Sequence, residues 1–338
     1  MVCEKKLIDE VACWLKVFDD GSVDRTWNGR PEAEFIAKPV HPHEHFIDGV
    51  AVLDVKISTE TNLSLRIYKP ERNLDDEKKI PVILHFHGGG FCISEPEWYF
   101  YYQFYTRIVR TARSICVSVK MRRAPEHRLP AAIDDCFSAL LWLRDVARGK
   151  VSSDQPWLEV EADFKRVFLM GDSSGGNLVH EVAARTGTEE LDPMRLAGGI
   201  PIHPGFVRAE RSRSELENKS DSAFLTLEMV DKLLAYALPL GSTKDHPITC
   251  PMGPEAPPLA GLNLPPFLLV VAENDLIRDT QLEYYQAMKK AGKDIELMMN
   301  PGMAHCFYLN KIATDMDPRT ALQTDRLLQT ITDFIKRH

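Results

Sequence analysis

From about residue 48 to its end, this chain alternates short apolar runs, rich in β-branched and aromatic residues, with amphipathic helical patterns. The strand-like runs cover residues 50–57, 63–68, 80–86, 115–119, 167–170, 199–202, 267–271 and 295–299. Helical spacing marks residues 101–112, 131–146, 176–185, 281–291 and 319–336. The central runs, such as Val82-Ile83-Leu84 and Phe267-Leu268-Leu269-Val270-Val271, are continuously apolar rather than alternating. Such strands are buried on both faces. The expected fold is therefore α/β, a mostly parallel eight-stranded sheet covered by helices on both sides. The first two runs, joined by a polar turn, read as an antiparallel edge.

Two stretches break the alternation. Residues 1 to about 46 read as a helix over 7–17 followed by an extended segment bearing Pro and His. Residues 205–248, approximately, are rich in charge, carry a helical pattern over 227–237 and fall between two strands. Both are expected to cover one end of the sheet, as a helical cap on a single domain spanning residues 1–338.

Charge and composition narrow the function. Forty-one Lys and Arg against 49 Asp and Glu leave a net charge of −8, with no long basic block, so nucleic acid is not an expected partner. Asp9 and Glu10 interrupt the first apolar stretch, which argues against a secretory signal. No window reaches the roughly 18 apolar residues of a membrane span. The seven cysteines are odd in number and never spaced Cys-x-x-Cys, which predicts a reducing, cytoplasmic setting with no disulfide framework. His41, His43 and His45 alternate, but no further ligand motif accompanies them. No phosphate- or dinucleotide-binding glycine loop follows a strand, so neither a metal nor a cofactor is expected.

The chemistry concentrates in three places. Met170-Gly171-Asp172-Ser173-Ser174-Gly175-Gly176-Asn177 follows a strand and opens a helix. In that context Gly-x-Ser-x-Gly makes a sharp turn that lifts a serine above the sheet. Only Ser173 has glycine at both −2 and +2, because Asp172 occupies the −2 position of Ser174. Upstream, His87-Gly88-Gly89-Gly90-Phe91 ends another strand, and its N–H groups can converge on an oxyanion. His87 reads as a structural hydrogen-bonding residue. A nucleophilic serine needs a base, and the base an orienting carboxylate. Asp275 and His305 each lie just past a strand, on the sheet edge that holds Ser173. Glu273 and Asp279 are rival carboxylates, Asp279 being better placed to start the following helix. The order serine, aspartate, histidine is that of α/β-hydrolases. Chymotrypsin-type proteases place the histidine before the serine on an all-β scaffold, so the local echoes of their motifs carry no weight.

Together His87-Gly88-Gly89-Gly90, the run from Arg122-Arg123-Ala124-Pro125-Glu126-His127 to Ala132, Gly171–Asn177, Asp275–Asp279 and His305 resemble the hormone-sensitive-lipase branch of the α/β-hydrolases. The stretch Val17-Phe18-Asp19-Asp20-Gly21-Ser22-Val23-Asp24-Arg25 further resembles plant carboxylesterases, a group that includes the gibberellin receptor and 2-hydroxyisoflavanone dehydratases. The resemblance implies a catalytic triad of Ser173, Asp275 and His305, and an oxyanion hole from the N–H groups of Gly89, Gly90 and Ser174. It implies a carboxylesterase. The aromatic-rich cover segments, with no cluster of Lys or Arg, predict uncharged short- to medium-chain esters as substrates, and an activated serine predicts organophosphates as covalent inhibitors. Members of the family usually carry Tyr-Arg-Leu where this chain has Met121-Arg122-Arg123, a departure expected to alter packing rather than chemistry. In the receptor the triad histidine is replaced, so His305 argues against that alternative. A dehydratase-like lyase stays open, since the serine occurs in both.

Overall fold

In the computed structural model, which describes residues 5–72, 78–151, 156–217 and 224–338, the apolar runs pair into one large sheet. Residues 1–4, Cys3 among them, and residues 218–223 of the expected insertion lie outside the described residues. The strands are β1 (Leu7–Val11), β2 (Leu15–Phe18), β3 (Val23–Asp24), β4 (His43–Ile47), β5 (Val50–Lys56) and β6 (Ser64–Pro70), then β7 (Ile80–Phe86), β8 (Ile115–Lys120), β9 (Ala162–Asp172), β10 (Leu196–Ile202), β11 (Phe267–Ala272) and β12 (Ile295–Asn300). The helices are α1 (Tyr99–Ala112), α2 (Ala131–Ala147), α3 (Pro156–Glu161), α4 (Ser174–Thr186) and α5 (Arg213–Glu217), then α6 (Leu227–Ala237), α7 (Arg278–Lys290), α8 (Lys311–Met316) and α9 (Pro318–Arg337).

The large sheet runs β12-β11-β10-β9-β7-β8-β6-β5-β4. Strands β7 to β12 are mutually parallel, and β6, β5 and β4 add an antiparallel edge. Every residue of β7 and β11 is buried, as their unbroken apolar sequences require. Helix α9 shows how the cover forms. Asp317 accepts from the N–H groups of Arg319 and Thr320 and starts the helix, and Leu327, Leu328, Ile331, Phe334 and Ile335 recur at helical spacing on its buried side. Phe334 meets Phe168 of β9 edge-on at 6.2 Å. Truncating so buried a ring costs about 3–5 kcal/mol.

Two expectations are corrected. Residues 7–17 are not a helix but the hairpin β1–β2, which with β3 forms a separate three-stranded antiparallel sheet. Apolar residues at 7, 8, 11, 14 and 15 fit a helical stripe and two short strands equally well. Ala12 at φ 46° turns the chain, and in β2 Leu15 and Val17 point inward while Lys16 and Phe18 are half-exposed. The neighbouring surface buries alternate residues in β2, while Leu7 and Ile8, which a helical stripe would bury, are exposed. The N-terminal cover is thus β rather than helical. The large sheet also has nine strands among the described residues instead of eight, because His43–Ile47 pairs with β5 as an added edge.

Candidate functional site

Strand β9 ends at Asp172 and helix α4 begins at Ser174, leaving Ser173 alone to make the turn. Ser173 does so at φ 51°, ψ −124°, a backbone conformation L-residues seldom adopt and one found at functional sites. Its backbone is held from several sides. The N–H donates to Ile202 O (3.0 Å), and the carbonyl accepts from Gly176 N (2.8 Å) and Gly205 N (2.9 Å). Glycine is obligatory at 175, where a Cβ would run into the Phe86 carbonyl at the end of β7. Ser174 is buried, and its Oγ accepts from Phe91 N at 3.2 Å, which ties the glycine loop after β7 to the start of α4. Gly89 in that loop sits at φ 103°, with no room for a side chain against the Ile93 carbonyl. Among the described residues, the N–H groups of Gly89, Gly90 and Ser174 donate to no protein acceptor. All three residues border the pocket that Ser173 and His305 also border.

His305 lies after β12, and Asp275 lies after β11. His305 Nδ1 donates to Asp275 Oδ2 at 2.7 Å. Asp275 is fully buried and also accepts from Gln281 Nε2 (3.0 Å) and Ile277 N (3.1 Å). Burial alone would push its carboxyl up. The charge and hydrogen bond of His305, with His203 and the Ile277 N–H, outweigh that and hold it below the usual carboxylate value. With Nδ1–H committed to Asp275, Nε2 carries the ring's lone pair; it is buried and has no hydrogen-bond partner among the described residues. Ser173 and His305 therefore share the pocket without being hydrogen-bonded to each other. The rivals stand apart. Glu273 accepts from Gly302 N (2.6 Å), and Asp279, in the first turn of α7, accepts from Ser214 N (2.8 Å).

Beneath this group lie residues that no local motif signals. Tyr101 donates to Asp172 Oδ2 (2.8 Å) and accepts from Gly88 N (2.7 Å), linking the serine turn to the glycine loop. Burial pushes the Asp172 carboxyl up to about 7, against the opposing hydrogen bond of Tyr101. His85 Nε2 is 3.5 Å from Asp172 Oδ1 but out of line, and neither atom has a hydrogen-bond partner among the described residues. His203 accepts from Cys306 N at Nδ1 (3.0 Å), and burial holds it down at about 3. His87 donates from Nδ1 to Gly88 O (2.9 Å), a structural bond, and burial lowers it to about 4. His43 bonds Tyr102 Oη (3.2 Å) and its neighbour's carbonyl, His45 O (3.0 Å). Sequence patterns missed Tyr101 and Gln281, whose only signal is the partner the fold supplies.

The pocket above these residues encloses about 800 Å³, its open mouth included. Trp14 from the β1–β2 hairpin, Trp98 and Phe100 before and in α1, and Phe224, Met229 and Leu233 from the insertion wall it; among the described residues no Lys or Arg lines it. Trp14 stacks on Trp98 (5.8 Å, 18°) and on Phe224 (6.4 Å, 24°), joining both cover segments to the core.

Residues 83–309, the stretch that holds Ser173, Asp275, His305 and the glycine loop after β7, match the α/β-hydrolase-fold family. The chain belongs to the α/β-hydrolases. Its plant relatives are those that the motifs resemble. It is 37% identical over 310 residues to a gibberellin receptor of Arabidopsis thaliana, covering 87% of this chain and 86% of the receptor. To a probable carboxylesterase of the same plant it is 33% identical over 305 residues, covering 90% and 85%. To the 2-hydroxyisoflavanone dehydratase of Glycyrrhiza echinata it is 35% identical over 312 residues, covering 90% and 91%. Among solved structures, carboxyl esterase 2 of Tuber melanosporum superposes on this α/β-hydrolase with a TM-score of 0.68 at 21% identity, covering 87% of this chain and 89% of that one. Vibralactone cyclase superposes with 0.71 at 24%, covering 86% and 81%. These two share the fold. No helix among the described residues of this α/β-hydrolase is long and apolar enough to cross a membrane.

Proposed function

We propose that the protein is a carboxylesterase working through an acyl-enzyme, with Ser173 as nucleophile, His305 as general base and acid, and Asp275 as the carboxylate that holds the imidazolium. One observation carries this reading: His305 is anchored through Nδ1 to a buried, charged Asp275 while its Nε2, unpartnered among the described residues, belongs to the pocket that the strained Ser173 also borders. Nε2 takes the Ser173 proton as Oγ attacks the ester carbonyl. The N–H groups of Gly89, Gly90 and Ser174 bind the resulting oxyanion, and Nε2–H then protonates the leaving alcohol. Water deacylates the serine by the same route in reverse. The segments 1–46 and 205–248 act as the cap, supplying the apolar wall that selects small uncharged esters. A relative named as a carboxylesterase, at 33% identity, supports the reaction class.

Two measurements test it. Ser173→Ala should lose nearly all hydrolysis of 4-nitrophenyl butyrate, and paraoxon should add one phosphoryl group to Ser173, seen by intact mass and peptide mapping. Turnover by Ser173→Ala at the wild-type rate, or an adduct on Ser174, overturns the assignment. The relatives named as receptor and dehydratase supply the two alternatives. A 2-hydroxyisoflavanone dehydrated far faster than any ester is cleaved would favour a lyase. Gibberellin binding with no ester turnover would favour a receptor.

A further inference from the structure

We propose that His203 is a positioning residue: its Nδ1 fixes the peptide that follows His305 and so sets where His305 Nε2 stands relative to Ser173. Strand β10 lies between β9 and β11 in the sheet, and the four residues at its end reach every member of the group above it. Ile202 O accepts from Ser173 N (3.0 Å), and Gly205 N donates to Ser173 O (2.9 Å). Pro204 O accepts from Gln281 Nε2 (3.1 Å), which also donates to Asp275 Oδ2 (3.0 Å). His203 Nδ1 accepts from Cys306 N (3.0 Å), across a sequence separation of 103. Among these contacts of segment 202–205, only that of His203 is made by a side chain of the segment, so it alone can be deleted by substitution there.

The bond falls where the chain needs holding. Phe307 N donates to Ala304 O (3.3 Å), a turn with His305 and Cys306 at its centre, and Cys306 takes φ 50°, ψ 33°. A residue with a side chain keeps that left-handed conformation only when its surroundings impose it. The Cys306 N–H shares a planar peptide with the His305 carbonyl, so an acceptor at 203 fixes the torsions on both sides of that peptide. Asp275 anchors the His305 ring at Nδ1 alone (2.7 Å), which leaves the backbone to decide where Nε2 points. His203 is itself held firmly. It is 0% exposed, sits at φ 45°, donates its N–H to Val270 O (2.8 Å), and packs its ring 5.8 Å from that of Phe307 and 6.0 Å from that of Tyr308. Burial keeps it neutral, and the charge of His305 acts in the same direction, against Asp275. A neutral ring that accepts at Nδ1 carries its proton on Nε2, so His203 does not compete for the Ser173 proton.

The kinetic consequence rests on the proposed role of His305; the place of the His305 Nδ1–H proton does not. His203→Leu removes the acceptor, whereas His203→Asn keeps one close to the position of Nδ1 and suits the left-handed backbone. Both would be compared with the wild-type chain on 4-nitrophenyl butyrate. His203→Leu should lose about 10²-fold in kcat with KM held within about twofold, and His203→Asn should recover to within about tenfold of wild type. Paraoxon labelling of Ser173 should slow in the same order. In proton NMR, the far-downfield signal of His305 Nδ1–H on Asp275 should shift or vanish in His203→Leu and persist in His203→Asn. An unchanged kcat in His203→Leu, a raised KM with kcat held, or equal losses in both variants overturns the proposal. If His203→Leu does not fold, as judged by circular dichroism, the histidine tautomers of the ¹⁵N-labelled wild-type chain decide. Nε2–H on His203 is expected there, and Nδ1–H overturns the role. If the wild type turns over no ester, the downfield signals of the three proteins still decide what His203 does, and only the proposed esterase reaction is lost.

Discussion

Asp172 stands next to Ser173 in sequence, yet its carboxylate points down to Tyr101 and away from any cation that would pay for its burial. A carboxyl at about 7, against 3.8 when exposed, shifts stability with pH by an amount on the order of a few kcal/mol. The direction follows from linkage. The folded state holds this proton more tightly than the unfolded chain, so its contribution is fully present below about pH 4 and is lost as pH rises through about 7. Asp275 has the opposite sign: its lowered value makes it stabilising above about pH 4, a contribution lost in acid. The contrast isolates each group. Asp172→Asn should flatten the fall in urea-unfolding stability between about pH 5 and 8, relative to wild type, and should gain stability at the upper end. Parallel wild-type and variant curves would show that Asp172 is already ionised in the fold.

At the scale of elements, the hairpin β1–β2 is fastened to α6 by a small polar cluster. Lys232 Nζ donates to Asp9 Oδ1 (2.7 Å) and Glu10 O (2.8 Å), and Tyr236 Oη donates to Asp9 Oδ2 (2.7 Å). Arg25, just after β3, makes a two-pronged bond to Glu126 (2.8 and 2.6 Å) and donates to Cys92 O (2.6 Å). Between these fastenings Trp14 drops into the pocket wall. Such half-exposed pairs contribute little to global stability, so their loss should appear as local opening. Asp9→Ala should speed hydrogen exchange in residues 5–24 and raise KM several-fold while kcat holds. Unchanged exchange there would mean that the aromatic stack of Trp14, Trp98 and Phe224 holds the hairpin alone. On the glycine loop, Gly89→Ala should lower kcat about 10²–10³-fold, because a Cβ meets the Ile93 carbonyl and displaces an oxyanion donor. A near-normal kcat would remove Gly89 from the oxyanion site.

For the whole molecule, the parallel strands gather His87–Phe91, Ser173, His203, Asp275 and His305 at their carboxyl ends, where the β1–β2 hairpin and the segment around α6 supply pocket-lining residues. Among the described residues no Lys or Arg lines the pocket, so on the proposed esterase reading it would select by size and polarity. Each methylene buried should gain about 0.8 kcal/mol until the pocket is filled. Across 4-nitrophenyl esters from acetate to palmitate, kcat/KM should climb and then fall, with its maximum at acyl chains of roughly two to eight carbons. A maximum at palmitate, or a preference for anionic acyl groups, would show that another surface holds the substrate.

Local information was enough wherever the chain's own period or chemistry is unambiguous. The unbroken apolar runs dictate central strands, since no solvated strand could carry Phe267–Ala272. The Gly-x-Ser-x-Gly turn, the triple glycine, Asp275 and His305 could be marked as candidates because each directly follows an apolar strand-like run, and the structure sets each past a strand end. Where a pattern fits two structures, only packing chose. Residues 7–17 suit a helix or a hairpin, and the surface formed by Trp98, Phe224 and α6 took the hairpin, which buries Val11, Trp14, Leu15 and Val17 and leaves Asp9 facing Lys232. Likewise no spacing announces that Tyr101 meets Asp172, that Gln281 supports Asp275, or that His203 lies beneath Cys306. Those contacts join strands and helices distant in sequence, and they exist only because a parallel sheet sets all its carboxyl ends along one edge.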